Sequence, residues 1–209
     1  MSLSIVILAA GKGTRMKSSK PKVLHEVAGR SMLQHVIDTS QTLSPDQILV
    51  VIGHESGQIE QAMQGQALEF VLQEQQLGTG HAVMQCREKL HPGNDLLVLY
   101  GDVPLIQQST LQALIDQGKT ENVVSLLSFQ AVDPTGYGRV VRDKRGQVLR
   151  IVEQKDASEA ELGINEVNTG FIVADRARLG DWVSRIGNDN VQREYYLTDV
   201  IKLATGDGV

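Results

Sequence analysis

The sequence predicts an α/β fold built on a doubly wound, mostly parallel sheet. Three apolar runs, Ile5–Leu8, Ile48–Ile52 and Leu96–Leu99, have the composition of strands that are buried on both faces. Segments with helical periodicity separate these runs, and the connections between strand and helix are short. This alternation is typical of parallel strands joined by crossover helices.

Helical segments lie between the three runs. Residues 30–43 place Met32, Leu33, Val36 and Ile37 on one face at helical spacing. We expect that face to pack on the sheet. The remaining elements predicted in this half are a short helix around residues 59–63, a strand over 68–72 and a helix over 79–90.

The pattern changes after about residue 120. Short strand-like runs replace the strand–helix alternation, and Lys144-Arg145-Gly146 is typical of a tight turn between two of them. Because no Ser/Gly/Pro-rich linker precedes this half, we expect it to form the other wall of a cleft. The predicted elements are strands over 123–129, 139–142, 148–152 and 165–173, and helices over 176–186 and 194–204.

Composition excludes several functional classes. Twenty Lys and Arg against 25 Asp and Glu give a net charge of −5, and aromatic residues make up 4% of the chain. Electrostatic capture or stacking of nucleic acid is therefore not expected. No apolar stretch approaches the length of a membrane span, and no charged leader precedes the first strand. The single cysteine, Cys86, excludes an internal disulfide and fits a cytoplasmic protein.

A glycine-rich, cationic loop follows the first strand. Gly11 and Gly13 permit positive φ and leave backbone N–H groups uncovered, and such groups bind anions. Lys12, Arg15 and Lys22 add three positive charges nearby. This combination suits a nucleoside triphosphate, although a basic surface loop after a core strand is the simpler alternative.

The spacing of the glycines excludes two common phosphate loops. The dinucleotide fingerprint requires a third glycine where this chain has Met16. The Walker loop requires four residues between its glycines and a Lys-Ser/Thr pair after the second, whereas here Thr14-Arg15 follows Gly13. The loop is therefore of another type.

Asp102 directly follows the third buried strand, in the sequence Tyr100-Gly101-Asp102. Ligands of open α/β sheets bind beyond the carboxyl ends of the strands, so Asp102 is expected near the glycine loop. Mg²⁺ prefers one or two carboxylates together with phosphate oxygens and water. Taken alone, a cap at the end of the strand explains Asp102 equally well.

An amide-rich segment, residues 73–82, leads into the helix predicted over 79–90. The side chains of Gln73 and Gln76 offer both donors and acceptors, as the edge of a uracil requires. A polar loop that caps the helix is the alternative interpretation. His81 is expected to be structural, because it enters the helix beside Ala82.

The motif LAAGKGTRM, residues 8–16, followed by PKVL, residues 21–24, resembles the sugar-nucleotide pyrophosphorylases. Together with the later motifs, it is similar to the uridyltransferase half of bacterial bifunctional N-acetylglucosamine-1-phosphate uridyltransferase/glucosamine-1-phosphate acetyltransferases. The resemblance covers essentially the whole chain. It implies a Rossmann-like fold with a smaller mixed β/α sugar-binding lobe, of the nucleotide-diphospho-sugar transferase type. It also implies that UTP and N-acetylglucosamine-1-phosphate react to UDP-N-acetylglucosamine and pyrophosphate, with Mg²⁺ as cofactor.

The resemblance also implies roles for particular residues. Arg15 would neutralise the leaving pyrophosphate, Lys22 would hold the attacked phosphate, and Asp102 would hold Mg²⁺. Positioning and charge neutralisation would supply most of the acceleration, without a protein base or nucleophile. The implied substrate-binding residues are Leu8, Ala9, Ala10, Gly11, Lys22, Gln73, Gln76, Gly78, Thr79, Tyr100, Gly101 and Asp102, with Gly138, Glu153, Asn168, Tyr196 and Thr198 on the sugar side.

The resemblance finally predicts the organisation of the chain. About 1–120 would form the nucleotide-binding half and about 121–209 the sugar-binding half of one domain that is truncated at its C-terminal end. The family's second Mg²⁺ ligand, an asparagine, matches no position here. The acetyltransferase solenoid, through which the intact protein would form a homotrimer, would be absent and the fragment monomeric. Two alternatives stay open: a nucleotidyltransferase for another sugar or alcohol phosphate, and a nucleotide- or UDP-sugar-binding module without turnover.

Overall fold

In a computed structural model of the chain, the structure describes residues 2–11, 13, 16–53, 56–121 and 124–209. The strands are β1 (Leu3–Leu8), β2 (Glu26–Val27), β3 (Arg30–Ser31), β4 (Gln47–Ile52), β5 (Glu69–Leu72), β6 (Asp95–Tyr100), β7 (Ser125–Gln130), β8 (Arg139–Arg142), β9 (Val148–Val152) and β10 (Glu166–Asp175). The helices are α1 (Met32–Gln41), α2 (Ser56–Ala62), α3 (Thr79–Met84), α4 (Gln108–Glu121), α5 (Glu159–Leu162), α6 (Arg176–Arg185) and α7 (Asp199–Gly206), together with a 3-10 turn at Lys22–Leu24.

Within these ranges, eight strands form one sheet in the order β5-β4-β1-β6-β10-β8-β9, and β7 pairs with the opposite edge of β10. The four strands β5, β4, β1 and β6 are parallel, whereas β10 runs antiparallel to β6. Leu8 at the end of β1 lies opposite Val51 and Tyr100, so these strands end at one edge. The predicted α/β fold with a mostly parallel sheet is confirmed.

The solid apolar runs arise because both faces of the sheet are covered. On β1, Ile5 and Ile7 pack into the core beneath α1, α2 and α4, whereas Val6 and Leu8 pack into the core beneath α3, α6 and α7. Alternate side chains of a strand point to opposite faces, so neither face of β1 can be polar. None of the helices in the described ranges is long and apolar enough to cross a membrane.

Two helix boundaries differ from the prediction by five residues or more. The helix predicted over 79–90 ends at Met84, because the backbone of Cys86, Arg87 and Lys89 bonds to the carbonyl three residues earlier. Such turns keep apolar residues at nearly helical spacing, which is why the sequence suggested a longer helix.

The last helix begins at Asp199 and not at Glu194. The segment before it is held in another conformation by the loop that leads into α3. Tyr195 N donates to Leu77 O at 2.7 Å, and Gly80 N donates to Tyr195 O at 2.7 Å. These two bonds join the second half of the chain to the amide-rich segment of the first half.

Strand β10 contains a bulge beside Tyr100. Its register shifts between Asn168 and Ile172, and Gly170 within the bulge has φ of +86°. A Cβ atom at this position would lie 2.3 Å from Cε2 of Tyr100. The Tyr100 ring therefore packs directly on the backbone of β10, and the position requires glycine.

Gly170→Ala is expected to lower the free energy of unfolding by roughly 2–4 kcal/mol, because it combines positive φ with overpacking against a buried ring. Urea denaturation measures the change. Gly180→Ala on α6 is the matched control, since nothing lies within 4 Å of its added Cβ, and it should stabilise by up to about 1 kcal/mol. Wild-type stability in Gly170→Ala would contradict the packing of Tyr100 on β10.

Candidate active site

A cavity of about 680 Å³ opens at the edge where β1 and β6 end. This is the edge at which open α/β sheets bind their ligands. The cavity brings together most of the residues that the sequence predicted for nucleotide binding. Those that line it are Leu8, Ala9, Ala10, Gly11, Lys22, Gln73, Gln76, Gly78, Thr79, Tyr100 and Asp102.

Gly101 supports the cavity from behind. Its backbone N–H donates to Leu8 O at 3.0 Å and so continues the ladder between β6 and β1. A Cβ here would lie 3.2 Å from Leu33 and 3.3 Å from Val23. A side chain at position 101 would crowd these two residues, so glycine is favoured between β6 and Asp102.

Lys22 and Asp102 form an ion pair at the rim of the cavity, between Nζ and Oδ2. Lys22 begins the 3-10 turn, which is anchored because Val23 and Leu24 are buried. The side chains of Lys22 and Asp102 are 42% and 28% exposed, so solvent reaches the pair. The two charges predicted to handle phosphate and metal are therefore in contact, although they lie 80 positions apart.

Gly13 makes the position of Lys22 possible. Its φ is +55°, and an added Cβ would lie 2.7 Å from Cβ of Lys22. The glycine loop and the lysine thus pack against each other directly.

Two amide side chains are fixed on the opposite side of the cavity. Gln76 Nε2 donates to Ala10 O and packs against Gly53, where a Cβ would lie 2.5 Å from that nitrogen. Gln73, which is 3% exposed, donates from Nε2 to Gly78 O at 3.0 Å. Both amides are therefore held in one orientation by backbone carbonyls.

Tyr100 lies between this cavity and the predicted sugar residues. Burial raises the pKa of its phenol well above the ordinary value, and the negative charge of Glu153 raises this pKa further. The phenol is therefore neutral at physiological pH and able to donate a hydrogen bond. The Thr79 hydroxyl lies beside it and also accepts from Leu197 N at 3.0 Å.

The predicted sugar residues gather around Glu153. Its Oε1 accepts from Thr198 Oγ1 at 3.0 Å, and a Cβ at Gly138 would lie 3.4 Å from both carboxylate oxygens. Asn168 N donates to Gly138 O at 2.9 Å. The buried Oδ1 of Asn168 has no hydrogen-bond partner among the described residues. An unpaired buried acceptor is costly, so a ligand donor would suit this position.

The surroundings of Glu153 make its carboxyl a weaker acid than usual. Burial raises the pKa of this carboxyl, the Thr198 hydroxyl opposes the rise, and the negative charges of Asp199, Asp156 and Glu194 add to it. A carboxyl group in such surroundings can both accept hydrogen bonds and, when protonated, donate one.

Tyr196 and Glu153 line a second cavity, of about 450 Å³. Burial raises the pKa of Tyr196 to about 12, although the neighbouring side chain of Gln192 opposes the rise. The structure thus separates the predicted substrate residues into two neighbouring sets. The set around Glu153 does not line the first cavity, and Tyr100 connects the two sets because it lines the first cavity and lies near Glu153.

Comparison with known proteins decides the family. Residues 5–160, three quarters of the chain, match the family described as MobA-like NTP transferase domain. The chain belongs to this family.

Curated relatives of this MobA-like NTP transferase domain are similar over its whole length. The protein from Pseudomonas aeruginosa named bifunctional protein GlmU is 56% identical over 209 residues, which are 100% of this chain and 46% of that protein. The protein of the same name from Cupriavidus necator is 54% identical over 207 residues, which are 99% of this chain and 45% of that protein. The chain therefore spans just under half the length of these relatives.

Solved structures show the same fold as this NTP transferase domain. A UDP-glucose pyrophosphorylase in complex with UDP-glucose superimposes with a TM-score of 0.79 at 16% identity, over 100% of this chain and 88% of that chain. The apo form of a UDP-glucose pyrophosphorylase gives 0.77, also at 16% identity, over 97% and 86% of the two chains.

The structure adds a charged side chain to the predicted site of the NTP transferase domain. Glu194 lines the first cavity. Its place follows from the bonds between Tyr195 and the loop that contains Gly78, which no local pattern in the sequence signals. Arg15, the remaining predicted catalytic residue, lies outside the described residues.

Proposed function

We propose that the chain transfers a uridylyl group from UTP to N-acetylglucosamine-1-phosphate and so forms UDP-N-acetylglucosamine and pyrophosphate. One observation carries the proposal. A single cavity at the edge of the sheet unites two fixed amides, Gln73 and Gln76, with the Lys22–Asp102 pair. The amides suit a pyrimidine base, and the charged pair suits phosphates with a divalent ion. The similarity to the GlmU proteins supports this choice of nucleotide and sugar.

The phosphates would lie between the glycine loop and Lys22. Backbone N–H groups at Gly11 and Gly13 supply donors, and the Lys22 ammonium supplies a mobile positive charge. Arg15 belongs to the same loop, and we assign it the leaving pyrophosphate. These groups offset the repulsion between two polyanionic substrates, which is the main obstacle to their reaction.

The residues around Asp102 fit a Mg²⁺ ion. Mg²⁺ is bound by one or two carboxylates together with substrate phosphates and water, and the described residues contain no cluster of three or more His, Cys, Asp or Glu that would form a complete cage. Asp102 would hold the ion from the protein side. When bound, Mg²⁺ neutralises part of the negative charge of the phosphates.

Displacement at the α-phosphorus needs no base from this chain. The second pKa of a phosphate monoester lies near 6, so the attacking oxygen of the sugar phosphate is largely ionised at neutral pH. That oxygen forms a bond to the α-phosphorus while the bond to the bridging oxygen breaks, and pyrophosphate leaves with the electron pair. Lys22 would hold the attacked phosphate in line. A trapped covalent nucleotidyl-enzyme would contradict this direct displacement.

The sugar would contact the set around Glu153. Glu153 and Thr198 offer polar groups to the ring hydroxyls, the unpaired Oδ1 of Asn168 would accept a hydrogen bond from the acetamido N–H, and Gly138 would allow close approach. Tyr196 is assigned to the edge of the same pocket. Tyr100 would contact both the nucleotide and the sugar.

The remaining assignments concern the setting of the reaction. We assign the chain to the cytoplasm as a monomer, without nucleic acid or membrane as partner. Light scattering, which measures the mass of the particle in solution, tests the assignment as a monomer.

Measurement of pyrophosphate release tests the reaction. UTP, N-acetylglucosamine-1-phosphate and Mg²⁺ should give turnover that exceeds turnover with CTP, dTTP or glucose-1-phosphate. Preference for another sugar phosphate, or for an alcohol phosphate with CTP, would identify a related nucleotidyltransferase instead. Binding of UTP without release of pyrophosphate would identify a binding module.

A further inference from the structure

The amide of Gln73 is locked by two acceptors. Its Nε2 lies 3.0 Å from Gly78 O and 3.0 Å from Nδ1 of His81. A carbonyl oxygen can only accept, so the Gln73 atom beside Gly78 must be the amide nitrogen. Its two N–H bonds are then directed at Gly78 and His81.

His81 must therefore present a lone pair at Nδ1 and carry its proton at Nε2. The solvent-exposed Gln85 amide nitrogen lies 3.2 Å from Nε2, so this amide must turn its oxygen toward the ring in order to accept the Nε2 proton. The ring lies beside that of Tyr195, with centroids 6.2 Å apart. Burial lowers the pKa of His81, which agrees with a neutral ring.

The locked orientation leaves the Gln73 oxygen for a ligand. Gln73 lines the cavity, and its Oε1 makes no hydrogen bond with the described residues. Uracil presents an imide N–H, which this oxygen can accept, whereas cytosine presents a lone pair at the same ring position. Rotation of the amide to suit cytosine would turn Oε1 toward the acceptors of Gly78 and His81.

We propose that His81 is a positioning residue that fixes the Gln73 amide and thereby sets the preference for uracil over cytosine. The inference rests on the proposed use of UTP. The sequence predicted only a structural role for His81. Here its Nδ1 takes part in base selection through Gln73, without contact to the base. A hydrogen bond of this kind contributes strongly to selectivity when the competing nucleotide would leave buried polar groups unpaired.

Equilibrium binding of UTP and CTP by calorimetry, with Mg²⁺ present, tests the inference on three variants. His81→Phe keeps a ring against Tyr195 and removes the acceptor. His81→Asn keeps an acceptor near the place of Nδ1. Gln85→Ala is the matched control, because it alters the environment of the same ring from the solvent side only.

His81→Phe should lower the ratio of UTP to CTP affinity by about tenfold, mainly through weaker UTP binding. His81→Asn should restore most of the ratio, and Gln85→Ala should leave it unchanged. A purely structural role would instead weaken both nucleotides alike or lower the urea midpoint. An unchanged ratio in His81→Phe would overturn the role of His81 alone.

Other outcomes distinguish this inference from the proposed reaction. Binding of UTP in preference to CTP without release of pyrophosphate would overturn the reaction and leave base selection testable by the same ratio. Failure of the wild-type chain to bind either nucleotide would overturn both.

Discussion

Lys22→Ala is expected to lower turnover of UTP and N-acetylglucosamine-1-phosphate by about 10²- to 10³-fold, as is typical when a charge partner of a transition state is removed. Lys22 is anchored by the 3-10 turn, and its ammonium lies at the rim of the cavity. The loss should appear mostly in kcat, because we propose that the Lys22 ammonium stabilises the attacked phosphate more strongly in the transition state than in the bound substrate. Steady-state release of pyrophosphate measures it, and the urea midpoint confirms that the variant is folded.

Lys20→Ala is the matched control for Lys22. The Lys20 ammonium pairs with Glu26 Oε1 at 3.4 Å, in an exposed position outside the cavity lining. Exposed pairs of this kind contribute about 0–1 kcal/mol, so turnover should stay near that of the wild type. Equal losses in both variants would point to the overall positive charge of the loop. Wild-type turnover in Lys22→Ala would show that Lys22 takes no part in the reaction.

Asp102→Asn should lower turnover by about 10²-fold and weaken saturation by Mg²⁺. The amide has nearly the same shape as the carboxylate but no charge, so the metal site should suffer while the fold does not. The Lys22 ammonium also loses the partner that it has in the present structure. Titration of turnover with Mg²⁺ measures the effect, and calorimetric titration of Mn²⁺ with UTP provides a readout independent of turnover.

Asp116→Asn controls for the loss of one negative charge. Asp116 lies exposed on α4, where its Oδ1 accepts from Gln112 Nε2 at 3.0 Å. Both the Mg²⁺ titration and turnover should match the wild type. If Asp102→Asn gave the same metal titration as Asp116→Asn, the assignment of Asp102 as a ligand would be wrong.

The parallel core was predictable because its signal is local. A strand buried on both faces must be apolar throughout, and β1 contributes side chains such as Val6 and Ile7 to opposite cores. Helix α4 has a similar signal, with Leu111, Leu114 and Ile115 buried at helical spacing, although it was not among the predicted elements.

The hairpin of β2 and β3 could not be predicted from such a local signal. Its strands have two residues each, and its turn uses Ala28 and Gly29, both with positive φ. Alanine rarely adopts that conformation, and the usual Asn-Gly or Asp-Gly signal is missing. A contact from α1 supports the turn, since His35 Nε2 lies 2.8 Å from Val27 O.

The two sides of the site differ in the same respect. Residues at the proposed nucleotide site follow strand ends, so the carboxyl edge of a parallel sheet brings Leu8 and Tyr100 together. At the proposed sugar site, the contact between Glu153 and Thr198 spans 45 positions and depends on the non-helical course of the chain around Tyr195. The periodicity of the sequence cannot predict a contact of this kind.

Strand β10 has a mechanical consequence. It bonds to β6, the strand that ends at Tyr100 beside the first cavity, and also to β7 and β8 in the half proposed to bind the sugar. Among the described residues, moving the two walls apart as rigid bodies would break the hydrogen bonds of this ladder. We therefore expect the walls of the cleft to keep their separation when substrates enter and products leave.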